Sequence, residues 1–402
     1  MSLFDDLPEP SVESGELQKA EQSAEDVNRK ESMSIELIPV LSSVIARKGE
    51  RPEMQDSHVL VDNLAQLMCR GVSSEITRVS YFAVFDGHGG ARASNFACKR
   101  LHQHVAARFP RGGTQQVEKD IKRVLYDSYK KTDEEFLREA CQQRPHWRDG
   151  STAATVLLVN NTLYIANLGD SKVVLARFVD SSSLSDPDSS NDNTNNNGGN
   201  IAAKVPKLSA ICLTKDHNPM DYEERQRIQA TGASVQNGRV NNVLEVVDHL
   251  VTINSKSKLT ANDQFLLIAC DGLWKSFPPN EAVSLTHQLL MKEIGNHNKN
   301  NQNPHNGQQS ASKSSHILSQ RHLDSVCTHL VNEAVLRMSG DNVTCILLVF
   351  PTTFLQRHPS VDHQKVLLYR KMMTLQNQAR NSPVLKNDLC ITLKMIIYMF
   401  LC

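Results

Sequence analysis

The chain has 402 residues, of which 40% are hydrophobic and 22% are charged. This length and composition predict one large or two ordinary globular domains with a sizeable core. The 44 basic and 44 acidic side chains give a formal net charge of zero, which argues against nucleic acid or an anionic membrane as a partner of the whole chain.

Cysteine usage and the two termini narrow the class of protein further. The 9 cysteines form no C-x-x-C pair, so a zinc knuckle or dithiol redox site is not expected, and their places in apolar runs favour a reducing compartment. We expect the cytoplasm, with the nucleus as the alternative. Residues 1–39 are predicted to be a disordered acidic leader without a secretory signal. The C-terminal run ITLKMIIYMFLC falls short of the roughly 20 apolar residues that span a bilayer, so no membrane span is expected.

Two amphipathic helices follow the first predicted strand, YFAVFD at 81–86. The first helix is predicted from an apolar stripe at helical spacing, formed by Ala97, Leu101, Val105 and Phe109. It stops at Pro110. A second amphipathic pattern begins at Val117 and runs toward residue 140.

Three strands and a third helix are predicted in the middle of the chain. The strand runs are 152–160, 162–170 and 171–178. The pair Asn160-Asn161 is typical of a tight turn and predicts that the first two strands form a hairpin. Further on, Asn218 is predicted to cap a helix whose first position is Pro219 and which ends near Gly232.

Two segments of low complexity interrupt these elements, at 180–200 and 295–316. Neither can bury enough apolar surface to offset the entropy of ordering, so both are predicted to loop into solvent. Strands are predicted at 265–272 and 343–350. Strand runs, a hairpin and helices together predict a layered α+β domain with helices packed over sheets. Residues 351–402 form a tail to which the sequence assigns no structure.

Aspartates at the edges of apolar runs indicate where the chemistry lies. They are Asp86, Asp170, Asp271 and Asp341, with Asp56 after a charged turn. An ionised carboxylate at a strand end is costly unless it is paired or bound to a cation, and neither Asp86 nor Asp271 has a Lys or Arg beside it in the sequence. The Gly that follows each of them would let the backbone approach an ion. The pattern indicates a shared site for hard divalent cations; ordinary Asp-Gly turns are the alternative that these residues leave open.

Seven short motifs, in order along the chain, resemble those of the metal-dependent type 2C protein phosphatases. They are RPEMQD at 51–56, FDGHGG at 85–90, DGSTA at 149–153, ANLGDS at 166–171, DHNP at 216–219, ACDGL at 269–273 and GDNVT at 340–344. The resemblance covers 40–350 outside the two insertions. It implies a central sandwich of two antiparallel β-sheets flanked by helices. It also implies hydrolysis of phosphoserine and phosphothreonine in proteins by a water that two Mg²⁺ or Mn²⁺ ions activate.

The same resemblance implies metal-binding roles, carried over residue by residue. Asp86 would bridge both ions, and the Gly87 carbonyl would help to hold the first. Asp271 and Asp341 would ligate the second ion, and Asp56 would hold a water on the metals.

Three further roles each have a competing interpretation. Asp170 would bind a third, weaker ion, with a plain β-turn as an equal alternative. Arg51 would clamp the substrate phosphate with its planar fork, the alternative being a surface salt bridge. His88 would protonate the leaving Ser or Thr oxygen, because histidine titrates nearest to neutral pH; holding a water is its alternative role.

Two departures from the family pattern set the second functional hypothesis. Gln55 stands where most of the family has Glu. After 244–246 the chain is shorter by about a dozen residues, in a stretch that would supply sheet backbone and cleft wall. Either the fold closes with a shorter connection, or the chain is a splice or gene-model variant. We therefore consider an active phosphatase, expected as a monomer that binds phosphoproteins and kinases, and a catalytically impaired scaffold for the same partners.

Overall fold

The computed structural model describes residues 36–69, 71–179, 206–230, 232, 234–236, 239–240, 251–300 and 318–356. By its contacts the chain divides into residues 1–37 and 38–402, and the elements below belong to the second unit. The predicted leader up to residue 35, the insertion 180–200 and the tail from 357 lie outside the described residues.

Fourteen strands are described. In chain order they are β1 (Leu41–Arg47), β2 (Ser57–Val61), β3 (Val79–Phe85), β4 (Gly87–His88), β5 (Gly150–Ser151), β6 (Ala153–Val159), β7 (Thr162–Leu168), β8 (Lys172–Val179), β9 (Lys207–Cys212), β10 (Val235–Gln236), β11 (Arg239–Val240), β12 (Thr252–Lys258), β13 (Asp263–Ala269) and β14 (Val343–Val349). Ten of them form two five-stranded antiparallel sheets, ordered β1-β14-β13-β8-β9 and β12-β7-β6-β3-β2.

Seven helices accompany the sheets in the described part of the chain. They are α1 (Arg92–Arg108), α2 (Thr114–Gln142), α3 (Tyr222–Ala230), α4 (Asp271–Trp274), α5 (Pro279–Asn300), α6 (Gln320–Leu336) and α7 (Pro351–Gln356). The pair α1 and α2 packs on the sheet that contains β3, and the pair α5 and α6 packs on the sheet that contains β14. The result is four layers, helix–sheet–sheet–helix, which confirms the predicted α+β sandwich.

The central strands are predominantly apolar because both of their faces are covered. In β3, Phe82 and Val84 point between the two sheets, whereas Tyr81 and Phe85 point toward α1 and α2. All seven residues of β3, of β6, of β13 and of β14 are buried. This double burial explains why these strands appear in the sequence as continuous hydrophobic runs without alternation.

Edge strands were harder to predict, and some element boundaries differ from the predictions. The sequence analysis did not identify β1, β2, β9 or β12, whose side chains are mostly half-buried or exposed where described. The strand predicted at 265–272 ends at Ala269, and α4 begins at Asp271. Helix α5 continues to Asn300, so it takes in the first six residues of the predicted loop 295–316.

The predicted helix start at Pro219 is wrong, because Asn218 forms a turn before the helix. Its side-chain oxygen accepts a hydrogen bond from the Met220 N–H at 3.0 Å, and its carbonyl accepts one from the Asp221 N–H at 2.9 Å. Helix α3 then begins at Tyr222. A short side chain that satisfies backbone donors locally competes with helix initiation, which moves the start three residues along the chain.

The shortened stretch after Val246 does not prevent the second sheet from closing. Residues 241–250 lie outside the described ranges, but β12 starts at Thr252 and pairs with β7 through to Lys258. An irregularity in register falls between Thr252 and Ser255. The edge strand that follows the shortened stretch therefore takes its place in the sheet.

Candidate metal centre

Strand register gathers the predicted aspartates at one end of the sandwich. Ser57 of β2 pairs with Phe85 of β3, so Asp56 and Asp86, each one residue beyond its strand, are neighbours. In the other sheet Ala269 pairs with Cys345, which brings the end of β13 next to the start of β14. Asp271 and Asp341 flank these two strand ends.

A cleft of about 610 Å³ opens at this end of the sandwich. Seven of the eight predicted site residues line it: Arg51, Asp86, Gly87, His88, Asp170, Asp271 and Asp341. The eighth, Asp56, is buried behind the cleft. Segments that are far apart in the sequence therefore converge on one solvent-connected site.

Three carboxylates form the centre of the cluster. One oxygen each of Asp86, Asp170 and Asp271 lies within 4.8 Å of the other two. Burial, followed by the charges of Asp56 and Asp271, raises the pKa of Asp86 to about 9. Burial and the charge of Asp271 also raise the pKa of Asp170. Carboxylates this close resist ionising together, and a bound cation would remove that penalty.

Asp56 connects the two sheets beneath the cluster. Its Oδ2 accepts a 2.7 Å hydrogen bond from the Thr344 hydroxyl of β14. Its Oδ1 is buried and makes no hydrogen bond of normal geometry with the described residues. Burial is the main reason that the pKa of Asp56 rises to about 6, even though the Thr344 bond lowers it. An acceptor left open beside Asp86 suits a position that holds a water on a cation.

Asp341 lies on the opposite side of the cleft between two cations. Its Oδ2 is 2.9 Å from Arg51 Nη2 and 3.0 Å from Lys275 Nζ. Burial opposes ionisation, but the hydrogen bonds from Lys275 and the Asn342 N–H, with the charges of Lys275 and Arg51, together outweigh it, and the pKa of Asp341 lies below its usual value. Lys275 Nζ is also 2.6 Å from Asp271 Oδ2. Asp271 has no Lys or Arg beside it in the sequence, but Lys275 stands four residues later and α4 brings it round to Asp271.

The glycines after Asp86 and Asp271 have a packing role that the sequence did not reveal. A Cβ on Gly87 would overlap the Gln55 carbonyl oxygen and the Ser94 hydroxyl. A Cβ on Gly272 would overlap the Asn342 carbonyl oxygen. Close backbone approach between neighbouring segments requires both glycines, whatever ligand role the Gly87 carbonyl has in addition.

His88 and Arg51 lie at the rim of the cleft. The two-residue strand β4 pairs with β5, which sets His88 opposite Gly150. Arg51 is half exposed, and its Nε donates to the Gly340 carbonyl at 3.3 Å. Arg51 thus makes the salt bridge that was its alternative role, and it also lines the cleft.

Asp170 sits on a loop that His217 fixes in place. The Gly169 N–H donates to His217 Nδ1 at 3.2 Å, and the His217 N–H donates to the Gly169 carbonyl at 3.1 Å. On the other side of its ring, His217 Nε2 is 3.0 Å from the Thr252 hydroxyl at the start of β12. Burial, followed by the charge of Arg227, lowers the pKa of His217 to about 4, so the ring is neutral at physiological pH. The Asp170 carboxylate lines the cleft with the other acids.

Three contributors to the site were not assigned roles from the sequence: Lys275, His217 and Asn342. His217 belongs to the motif DHNP and Asn342 to the motif GDNVT, but the sequence assigned neither of them a function. The Asn342 side chain is 5% exposed and bonds three backbone groups of the loop that carries Arg51. The helical spacing of Asp271 and Lys275 could have suggested their pairing had α4 been predicted.

The donor set fits a hard divalent cation. Asp86, Asp170, Asp271 and Asp341 offer carboxylate oxygens, the ligands that Mg²⁺ and Mn²⁺ prefer. The Cys270 sulfur lies close to Asp56 and Asp86, but it accepts the Thr344 N–H at 3.1 Å and burial raises its thiol pKa well above the usual value. A soft, thiolate-binding metal therefore fits this site poorly.

Comparison with known proteins supports this assignment. The family model described as "Protein phosphatase 2C" matches residues 41–247 and 252–343. Human integrin-linked kinase-associated serine/threonine phosphatase 2C is 41% identical over 350 residues, which cover 82% of this chain and 79% of the human protein. The bovine protein of the same name is 40% identical over 381 residues, covering 86% of this chain and 92% of that protein.

Solved structures agree on the fold. The crystal structure of serine-threonine phosphatase 2C from Toxoplasma gondii superposes with a TM-score of 0.51 at 17% identity, covering 77% of this chain and 99% of that one. A C. elegans sex determining protein superposes with a TM-score of 0.50 at 20% identity, covering 86% and 77% of the two chains.

Within the described ranges, none of the helices has the length and hydrophobicity needed to cross a membrane.

Proposed function

The chain belongs to the protein phosphatase 2C family, and from that membership we propose that it hydrolyses phosphoserine and phosphothreonine in proteins with Mg²⁺ or Mn²⁺ as cofactor. The observation that carries the proposal is the convergence of Asp86, Asp170 and Asp271 within 4.8 Å of one another in an open cleft. Family members are metal-dependent phosphatases, and this cluster is where the present chain would hold its ions.

In the proposed site Asp86 and the Gly87 carbonyl would hold one ion, and Asp86, Asp271 and Asp341 would hold a second. Asp170 offers a third, weaker position. When bound, the ions supply Lewis acidity that activates water and offsets the negative charge of a phosphate ester. Asp56, with one oxygen fixed by Thr344, orients a water through the other.

Arg51 is proposed to bind the phosphate group of the substrate. Its bonds to Asp341 and to the Gly340 carbonyl use Nη2 and Nε, and Nη1 takes part in neither. A planar guanidinium anchored on one edge presents its remaining N–H donors in a fixed orientation, which suits two oxygens of a phosphate.

His88 is proposed to give a proton to the serine or threonine oxygen that leaves. It lies in the cleft wall directly after the Asp86-Gly87 pair. A phosphate ester bound at Asp86 would therefore lie close enough for the His88 side chain to reach its leaving oxygen. The pairing of β4 with β5 fixes its backbone, and this limits the ring to a small region of the cleft.

Phosphate release from a phosphothreonine peptide tests the proposal. We expect release that needs Mn²⁺, stops with EDTA, and falls at least 100-fold in Asp271→Asn, as for loss of a group that stabilises transition-state charge. Asp127→Asn, on the exposed face of α2, is the matched control and should keep wild-type activity. A metal-independent rate, or equal rates in the two variants, would refute the proposal.

A second candidate, a phosphatase-like scaffold that binds kinases or phosphoproteins, is favoured by one observation. The family model breaks between 247 and 252, where the chain is shortened. The human relative is named an integrin-linked kinase-associated phosphatase, and this name motivates a kinase as the partner in either case. Binding of a phosphopeptide without any phosphate release under Mn²⁺ or Mg²⁺ would favour this candidate over the enzyme.

A further inference from the structure

Lys275 makes contacts in the cleft that neither the motifs nor the proposed mechanism explains. It follows the short helix α4 directly, and its ammonium lies 2.6 Å from Asp271 Oδ2 and 3.0 Å from Asp341 Oδ2. In the proposed site both carboxylates would hold the second ion together with Asp86. One internal cation thus binds both of them.

The backbone that carries Lys275 is held by packing and a hydrogen bond, while its side chain is in contact with solvent. The preceding residues Leu273 and Trp274 are buried, and the Trp274 indole N–H donates to the Ala269 carbonyl at 2.9 Å. The Lys275 side chain is 50% exposed. A lysine ammonium sits on a flexible stem of four carbons. Rotation about the bonds of this stem can move the ammonium from the two carboxylates into solvent without any change in the backbone.

Resting on the proposed function, we propose that Lys275 is an internal counter-ion that competes with the second divalent ion for Asp271 and Asp341. The ammonium offsets the repulsion between the acids when the ion is not bound. An incoming Mg²⁺ or Mn²⁺ requires direct carboxylate contact at about 2.0–2.2 Å, so it must displace the ammonium from the same oxygens. Lys275 is therefore a positioning residue that sets the ion concentration at which the site fills.

Arg51 cannot fill this role, although it also contacts Asp341. Its guanidinium bonds Asp341 and the Gly340 carbonyl, which are neighbours on one loop. Only Lys275, among the described residues, has an ion pair with each of Asp271 and Asp341. Removing Lys275 should thus change ion affinity in a way that other cations near the cleft do not reproduce.

Lys275→Met tests the proposal, with Lys48→Met as the matched control. Lys48 lies on the loop whose Gly49 packs against the Asp341 backbone, but its ammonium reaches the Pro52 carbonyl at 3.5 Å and no carboxylate. Both variants lose one positive charge, from Lys275 in the cleft or from the loop that packs against Asp341. A general field effect would strengthen ion binding in both, whereas competition would strengthen it in Lys275→Met alone.

Two measurements other than activity give the outcome. In Mn²⁺ calorimetry on the full chain, the second ion, held by Asp271 and Asp341, should bind roughly three- to tenfold more tightly to Lys275→Met than to wild type. Its affinity for Lys48→Met should equal that for wild type. In EDTA, Lys275→Met should melt about 2–4 °C below wild type, and saturating Mn²⁺ should close that gap.

The possible results separate this inference from the proposed function. Equal Mn²⁺ affinity in wild type and Lys275→Met, or an equal gain in Lys48→Met, would overturn the competition while leaving the phosphatase proposal intact. Mn²⁺ binding to neither wild type nor Lys275→Met would overturn both. Mn²⁺ binding to Lys275→Met only would support the competition and count against an active wild-type enzyme.

Discussion

Replacing Asn342 with alanine should loosen the loop that carries Arg51. The Asn342 amide accepts the Gln55 N–H at 2.8 Å and donates to the carbonyls of Lys48 and Glu53 at 2.7 and 3.0 Å. One buried side chain therefore closes the loop 48–55 at three points. Alanine removes all three bonds and leaves the backbone around them.

The magnitude follows from the exposure of the three partners. A hydrogen bond contributes about 1 kcal/mol net, and more where the abandoned partner stays buried. Lys48 and Glu53 are exposed residues whose carbonyls can turn to water, whereas Gln55 is half-buried. We expect Asn342→Ala to lower the free energy of unfolding by roughly 2–3 kcal/mol. Because Arg51 is no longer held in place, the KM for a phosphopeptide should rise several-fold more than kcat falls.

Urea unfolding and steady-state kinetics with Mn²⁺ measure the two effects. Asn332→Ala is the control, since Asn332 is exposed on α6 and makes one 3.3 Å bond to Arg47; it should change the free energy of unfolding by under about 0.5 kcal/mol. An Asn342→Ala variant as stable as Asn332→Ala, with an unchanged KM, would refute the reasoning.

Two further predictions concern the packing and the pH response of the site. Gly272→Ala should lower the free energy of unfolding by about 1–3 kcal/mol, because its Cβ would overlap the Asn342 carbonyl, whereas Gly71→Ala meets open space and should be close to neutral in the same urea assay. The pKa of His217 is about 4 in the folded chain and about 6.5 when unfolded, so its contribution is complete above pH 6.5 and is lost as the pH falls toward 4. The stability advantage of wild type over His217→Asn should therefore shrink by roughly 2–3 kcal/mol between pH 7 and pH 4; an advantage that stays constant with pH would contradict this.

The sequence predicted the acids of the site better than the contacts that surround them. Asp86, Asp271 and Asp341 stand next to apolar runs that are unmistakable because both faces of β3, β13 and β14 are buried. Strand ends are thus visible in the sequence, and the family motifs supply the pairing of strands that places these ends together. Without the family motifs, the positions of these aspartates left ordinary Asp-Gly turns as an equal explanation.

Lys275 was missed for a structural reason. The apolar run before it predicts a strand through residue 272, and in a strand Asp271 and Lys275 would not form a close pair. In the structure the strand stops at Ala269 and α4 begins at Asp271, so the two residues are one helical turn apart. A helix of 4 residues leaves no periodic pattern from which it could be predicted.

Edge strands and turn chemistry account for the remaining differences. β12 has a mixed polar sequence because it lies at the edge of its sheet, and no alternation of hydrophobic residues marks it. At Asn218 the same side chain suits a helix cap or a local turn, and in the structure it forms the turn. Tertiary contacts determine whether such a segment forms a strand, a helix cap or a turn, and these contacts cannot be read from the local sequence.

An anomalous difference map from crystals soaked in Mn²⁺ tests the central claim most directly. The account predicts two Mn²⁺ peaks in the cleft, both at ligand distance from Asp86 and one of them also at ligand distance from Asp271 and Asp341. A map without a peak at these carboxylates, in a protein that is otherwise folded as described, would contradict the account.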